Sequence, residues 1–280
     1  MEDPPGNGAG SMLNLKNVTF SYSSGSKIFD DISINIDTDA ITAVAGRNGT
    51  GKTTLTRLIM GIIHPQSGVI EFDGKLISDK PSYVLAKNIG YVFQNPDHQL
   101  FAATVYDEAA YAPMQLGMET KQIRECVDGA LAATGLSEKA HLMPQTLSLG
   151  DKQRLSIASA LAAKPRILIL DEPTSGQDCR ERTVLLRLMR KLNSTGLGII
   201  LVTHDMDILA EHADKMIVLA DKKIAYAGTP RQLFADEEKT VKLGLELPEA
   251  AVIAAEMGLE LCLTPDELYG KMAVWREKNA

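Results

Sequence analysis

The chain has 280 residues, 45% hydrophobic and 23% charged, which is ordinary for a globular protein and long enough to bury a real core as one large domain or two. A formal charge of −7 and a pI near 5.3 argue against nucleic acid as a main partner, because neutralising phosphates takes a basic face. No apolar run approaches the ~18–20 residues that span a bilayer, and no apolar h-region marks a signal peptide. Cys126, Cys179 and Cys262 are far apart and odd in number, so free thiols in a reducing cytoplasm are expected.

Residues 1–11 have no apolar period and are expected to be a disordered leader, with Met12 a candidate natural start. Short strands are predicted over 13–20, 28–36, 41–45 and 69–72, separated by Gly, Ser and Asp clusters. The stretch from Gly46 to Thr54 interrupts them. It follows the apolar run 41–45 and precedes Leu55, Leu58, Ile59 and Ile62, the i, i+3, i+4, i+7 spacing of a helix face. Strand, glycine-rich loop and helix are the context that G-x-x-x-x-G-K-[ST] requires. Here the motif reads Gly46, Arg47, Asn48, Gly49, Thr50, Gly51, Lys52, Thr53, followed by Thr54. Backbone N–H groups and the helix N-terminus would cradle phosphates, Lys52 would reach the β- and γ-phosphates of ATP, and the Thr53 hydroxyl would ligate Mg²⁺.

A strand is predicted over 89–93, then helices over 105–114, 120–133 and 148–163, the last with Ser148 as N-cap and Pro165 beyond its end. The strand 167–170 is apolar on both faces, as a central parallel strand should be. Helix 179–194, strand 199–203, a short helix from Met206 and strands 216–219 and 223–227 follow. Alternating strands and helices imply a parallel α/β core. Beyond Gly228 come short amphipathic helices around 230–243 and 248–258. A last helix starts at Thr264, with Pro265 at N1 and Glu267 at N3 as a capping box and Leu268, Met272 and Trp275 as its apolar stripe.

Asp171 and Glu172 stand at the carboxyl end of strand 167–170, where open α/β sheets bind ligands. Asp171 would hold Mg²⁺, and Glu172 would act on the attacking water as general base.

With these motifs in place, the chain resembles an ATP-binding-cassette ATPase over about residues 13–228. The carriers are 46–53, Gln94 after a strand, Leu147-Ser148-Leu149-Gly150-Asp151, Asp171-Glu172-Pro173-Thr174, Ser175-Gly176-Gln177-Asp178 and Thr203-His204-Asp205, in the family's order. The resemblance implies an α/β P-loop domain over 12–228. It would have a parallel core sheet, an N-terminal antiparallel β part and a helical subdomain over about 97–165. A helical extension over 229–280 would help two ATPases pair. It also implies that Tyr22 stacks on adenine, that Gln94 reaches Mg²⁺ and the attacking water, and that His204 contacts the γ-phosphate and steadies Glu172. Ser148 and Gly150 would contact the nucleotide of a second ATPase subunit, and Asp178 would lie in the loop crossing between the two.

The signature departs from Leu-Ser-Gly-Gly-Gln at Leu149 and Asp151. Leu149 brings a β-carbon where backbone approaches phosphate. Asp151 brings a carboxylate near an anion, at a Coulomb cost of order 1 kcal/mol or more. A heterodimer with a paralogue is therefore expected. A narrower resemblance, through 93–101, 104–108, 112–113, 242–248 and 263–268, is to the ATPases of energy-coupling-factor importers, which take up vitamins and cobalt or nickel ions. It implies a transmembrane coupling subunit, a membrane protein that captures substrate, and a place on the cytoplasmic face of the membrane. Asp97 and Glu108 would meet basic residues of the coupling subunit. Competing readings are a soluble non-transport ATPase of the same fold, or a regulatory subunit that binds ATP without cutting it.

Overall fold

A computed structural model describes residues 12–23 and 25–279; the leader expected over 1–11 lies outside them. In chain order, β1 (Met12–Ser21), β2 (Lys27–Asp37) and β3 (Ile41–Ala45) lead into α1 (Lys52–Ile59). Then come β4 (Ser67–Phe72), β5 (Lys75–Leu76), α2 (Ser82–Leu85) and β6 (Ile89–Val92). Helices α3 (Val105–Gln115), α4 (Thr120–Thr134) and α5 (Leu149–Ala162) follow, then β7 (Ile167–Asp171), α6 (Cys179–Asn193), β8 (Gly198–Val202), α7 (Met206–His212), β9 (Lys215–Ala220) and β10 (Lys223–Gly228). The C-terminal segment holds α8 (Pro230–Phe234), α9 (Glu237–Lys242), α10 (Glu249–Glu256) and α11 (Pro265–Asn279).

Two sheets result. One is antiparallel, in the order β2-β1-β4-β5; the other runs β10-β9-β3-β8-β7-β6, with β9-β3-β8-β7-β6 parallel and β10 antiparallel at its edge. Burial on both faces explains why β3, β7 and β8 are apolar except at Thr42 and at Asp171, the last residue of β7. Val44, Ile169, Ile200 and Val202 face the core shared with α1 and the antiparallel sheet. Ala43, Leu168, Leu170, Ile199 and Leu201 face the core under α6 and α7. A third core, with Val105, Val127, Leu131 and Leu155, joins α3, α4 and α5.

The C-terminal segment is fastened to the second core by Leu245 and Leu263 and has a small core of its own around Ala254, Cys262 and Leu268. Its helices differ from expectation in detail. The predicted 230–243 helix is two, because Asp236 caps the second by accepting from the Lys239 N–H. Thr264 accepts from the Glu267 N–H, but Glu267 returns its other bond to the Leu263 N–H, at 2.9 Å, instead of to Thr264. Trp275 is 43% exposed, so the expected stripe is buried at Leu268 and half-buried at Met272 only. At α1 the apolar face stops at Ile59; the chain turns at Gly61, φ 63°, and leaves Ile62 exposed.

Candidate functional site

The loop from β3 to α1 opens into a cavity of about 630 Å³ at the carboxyl end of the parallel strands. Its walls include Asn48, Gly49, Gly51, Lys52, Thr53 and Thr54 from the loop and α1, with Gln94, Asp171, Glu172 and His204 from the ends of β6, β7 and β8. Three parallel strands thus deliver to one crevice residues that lie far apart in sequence. Gly51, at φ 102°, ends the loop. A β-carbon there would stand 2.8 Å from both Ile28 and Phe29 of β2, so only glycine lets the loop pack this tightly. Lys52 Nζ donates to the carbonyls of Gly46, at 2.7 Å, and Arg47, at 3.2 Å. Burial lowers its pKa below the usual lysine value, and the charges of Glu172 and Asp171 oppose that shift.

Asp171 is 7% exposed at the end of β7 and accepts a 2.9 Å hydrogen bond from the Tyr91 hydroxyl through Oδ2. Glu172 adopts φ 48°, the left-handed region that a non-glycine residue enters at a cost of about 1–3 kcal/mol. Its N–H donates to Val202 O at 2.8 Å, turning the chain across the end of β8. Both Glu172 carboxylate oxygens lie 3.0 Å from His204 Nδ1. A carboxylate offers only acceptors, so Nδ1 carries the proton and Nε2 is left for another partner. His204 is exposed while Glu172 is largely covered. In the chain His204 stands between buried Thr203, at the end of β8, and Asp205, the N-cap of α7.

The oxygen donors suit a hard cation. Thr53, Gln94 and Asp171 offer a hydroxyl, an amide and one carboxylate, and no group of three or more His, Cys, Asp or Glu residues able to hold a metal occurs among the described residues. That donor set fits Mg²⁺ carried in on phosphate, since Mg²⁺ takes one or two carboxylates and fills its shell from water and phosphate oxygens.

Other expected site residues stand around or away from this cavity. Gly46 and Arg47 line a neighbouring one with His204 and Gly244, and the Thr50 hydroxyl is turned inward to the Arg47 carbonyl, 2.9 Å away. Tyr22 sits at the rim, its hydroxyl 3.3 Å from Thr54 Oγ1 and its ring edge-on to Phe20. Ser148 and Asp178 do not line the cavity; they cap α5 and α6, accepting from the N–H groups of Asp151 and Glu181. Gly150 is buried in the first turn of α5, and the Glu181 carboxylate occupies the space a β-carbon would need.

Two acids depart from expectation, Asp151 and Glu108, whereas Asp97 stays exposed. Asp151 is buried and bridges Lys139 and Arg154, whose other nitrogen holds Glu181 at 2.7 Å. Burial alone would raise its pKa, but hydrogen bonds from Lys139, Arg154 and Ser148 outweigh that and hold the carboxyl below the usual range. The expected penalty against an incoming anion is therefore reduced, because the charge is already paired. Glu108 is also buried. Its Oε2 accepts the N–H groups of Phe101 and Ala102, each at 2.8 Å, so it shapes the loop before α3 and does not present a surface charge. Asp97 is partly taken up by Lys152 at 2.8 Å. Tyr91 was not singled out as a site residue by sequence reasoning, although its place three residues before Gln94, on a strand entering the crevice, is the signal that marks it.

A family model described as ABC transporter matches residues 29–175. A putative ABC transporter ATP-binding protein of Caldanaerobacter subterraneus subsp. tengcongensis is 38% identical over 247 residues. The match takes in 88% of this chain, which spans 43% of that relative's length. The energy-coupling factor transporter ATP-binding protein EcfA of Methanosphaera stadtmanae is 38% identical over 239 residues, 85% of this chain and 86% of EcfA. Among solved structures, cbiO1 of Clostridium perfringens, described as part of the ABC transporter complex cbiONQ, superposes with a TM-score of 0.77. It is 35% identical, and the superposition covers 90% of this chain and 100% of that one. The chain belongs to the ABC transporter family and is an ATPase with the P-loop fold of that family.

Proposed function

We propose that the chain is the ATP-hydrolysing subunit of an energy-coupling-factor importer. It would work on the cytoplasmic face of a membrane and power uptake of a vitamin or a transition-metal ion. Support comes from two relatives named as energy-coupling factor transporter ATP-binding proteins and from a solved structure described as part of an ABC transporter complex. No helix among the described residues is long and apolar enough to cross a membrane; in this reading partner subunits supply the pathway for solute. Those partners would be a transmembrane coupling subunit and a substrate-capturing membrane protein. Exposed Phe101, Tyr111 and Met114, the first two edge-on at 4.8 Å, offer an apolar face beside the helical part of the chain for the coupling subunit.

The observation that carries hydrolysis is the Glu172–His204 pair set over the Lys52 and Asp171 end of the cavity. In this reading the loop N–H groups and Lys52 hold the β- and γ-phosphates, and Tyr22 stacks on adenine at the rim. Thr53, Gln94 and Asp171 hold Mg²⁺, which neutralises phosphate charge when bound. Glu172 accepts the proton of the attacking water. Because its carboxylate is fixed by His204 Nδ1–H, the water is oriented before bond formation. A contact of Nε2 with the γ-phosphate requires that nitrogen to carry a proton as well, as in the imidazolium form.

Ser148 and Gly150 lie outside this cavity, at the start of α5, where a helix end favours anions. Together with Asp178 they would close the nucleotide of a second ATPase subunit, giving an ATP-held head-to-tail dimer that opens on hydrolysis. With Asp151 neutralised, exposed Leu149 remains as the feature favouring a paralogue as that second subunit. Purification of the tagged chain from native membranes tests the proposal. A second ATPase and at least one polytopic membrane protein should accompany it in fixed proportion. Recovery of the chain alone from the soluble fraction would sink the importer reading and favour a non-transport ATPase.

A further inference from the structure

The C-terminal segment reaches the phosphate loop. Two residues beyond α9, Gly244 lies at φ 73°; its N–H donates to Val241 O at 2.8 Å while the Leu245 N–H returns to Thr240 O at 3.2 Å. This is the paired bonding of a Schellman turn. The turn is well anchored. Thr240 is fully buried and its hydroxyl donates to Leu233 O, at 3.0 Å, and Asp236 O, at 2.9 Å. Leu245 is buried, and Leu243 and Leu247 pack beside it on the core under the parallel sheet.

On this turn rests the aliphatic stem of Arg47. A β-carbon at position 244 would stand 2.9 Å from Arg47 Cγ and nearer still to Cδ. Arg47 and the turn together wall a cavity of about 410 Å³ with Asn48, His204 and Glu246. Among the described residues no acceptor holds the Arg47 side chain by a hydrogen bond or ion pair, so packing on Gly244 is what locates it. The Arg47 carbonyl, in turn, accepts from Lys52 Nζ at 3.2 Å, from the Thr50 N–H at 3.3 Å and from the Thr50 hydroxyl at 2.9 Å.

We propose that Gly244 and Arg47 are positioning residues through which the C-terminal segment sets the nucleotide affinity of the phosphate loop. Gly244 supports the Arg47 stem, and the Arg47 carbonyl helps aim Lys52. The atoms a side chain at 244 would meet are those of the Arg47 side chain, so it displaces that stem first and reaches the loop only through Arg47, whereas the chemistry at Glu172 is left alone. The effect therefore falls on binding, with little on the rate of the bound complex. The inference rests on Lys52 as a phosphate ligand.

The test uses the full-length chain, a fluorescent ATP analogue with Mg²⁺ for equilibrium titration, and steady-state hydrolysis. Asparagine tolerates the left-handed region, so Gly244→Asn keeps the turn while adding the β-carbon. It should raise the dissociation constant and KM for ATP about fivefold or more, with kcat within about twofold, since small misplacements of a positioning group are costly. Gly258→Asn is the control. Gly258 also sits in the C-terminal segment, at φ 67°, with open space where its β-carbon would go, and its KM should match the parent. On an Arg47→Ala background, Gly244→Asn should add no further shift. Equal shifts from the two asparagine variants, or an undiminished shift on Arg47→Ala, overturn the proposal. Lys52→Ala separates the two levels. Unchanged affinity in that variant refutes the reading of the site itself, whereas lost binding there with parental binding in Gly244→Asn refutes only the coupling.

Discussion

The Tyr91 hydroxyl donates to Asp171 Oδ2 at 2.9 Å and stands 3.2 Å from Thr56 Oγ1, tying β6, β7 and α1 together beneath the candidate metal site. Burial, the largest influence, pushes the Tyr91 pKa well above the usual tyrosine value, so it remains a donor at any working pH. Tyr91→Phe leaves the ring and removes this bond to a charged acceptor. We expect stability to fall by about 1–2 kcal/mol and the Mg²⁺ concentration for half-maximal hydrolysis to rise severalfold. Thermal melting and Mg²⁺ titration measure these separately. An unchanged Mg²⁺ requirement would show that Tyr91 does not orient Asp171 for the metal.

Glu172→Gln keeps the shape of the side chain and removes the base. Hydrolysis should drop by about 10²–10⁴-fold, the usual contribution of a positioned general base, while the ATP dissociation constant changes little. His204→Ala should lower kcat in the same direction, because Glu172 then loses the Nδ1–H that holds both its oxygens. Single-turnover hydrolysis with saturating ATP reads both effects. Undiminished turnover in Glu172→Gln would remove it as the base.

Asp151 gives a pH-dependent prediction. Its folded pKa is depressed, so its contribution is present in full above the unfolded value of about 3.9 and is lost as pH falls through the lower folded value. Asp151→Asn leaves Arg154 and the partly exposed Lys139 without that partner, at a cost of about 1–3 kcal/mol near neutral pH after allowing for solvent screening at Lys139. The stability gap to the parent should be widest at pH 6–8 (roughly) and narrow below about pH 3.9. Denaturant melts across that range measure it, and a gap that does not depend on pH contradicts the assignment.

Glu108 is a buried acceptor for two backbone N–H groups, so Glu108→Ala should destabilise the chain by about 1–3 kcal/mol, the cost of removing a charged acceptor from partly buried donors. Glu108→Gln, which retains an acceptor oxygen, should lose less. Hydrogen exchange at the Phe101 and Ala102 amides reports the loop directly, and slow exchange in Glu108→Ala would refute the role.

Gly150→Ala displaces the Glu181 carboxylate from the first turn of α5. If that turn closes a second subunit's nucleotide, ATP-dependent dimerisation should weaken by tenfold or more (about 1.4 kcal/mol), while affinity for ATP in the isolated chain stays near the parent. Sedimentation with ATP and Mg²⁺ separates the two quantities. Unaltered dimerisation would remove α5 from the interface.

Strands β3, β7 and β8, the phosphate loop and the Asp171-Glu172 step were legible from sequence, because each is governed by local spacing. Periodicity and turn chemistry act over a few residues and leave a readable mark. The Glu172–His204 half of the site was expected only through the family resemblance and not through local spacing, since the strand ends that carry them meet only when β7 and β8 lie side by side. Two acids misled for the opposite reason. Asp97, Glu108 and Asp151 look alike as exposed charges in a sequence, and only the neighbours supplied by distant segments distinguish a surface acid from a buried acceptor.

By itself, the sequence determined that a strand, a glycine-rich loop and a helix would form a phosphate-binding turn, and that a carboxylate pair would end an apolar strand. Short-range stereochemistry and side-chain period suffice for both. Tertiary structure alone decided that Tyr91 would hold Asp171, that Lys139 and Arg154 would take up the charge of Asp151, and that Gly244 would carry Arg47. Those contacts join residues from separate elements, and their energies depend on burial and distance, which no local pattern encodes.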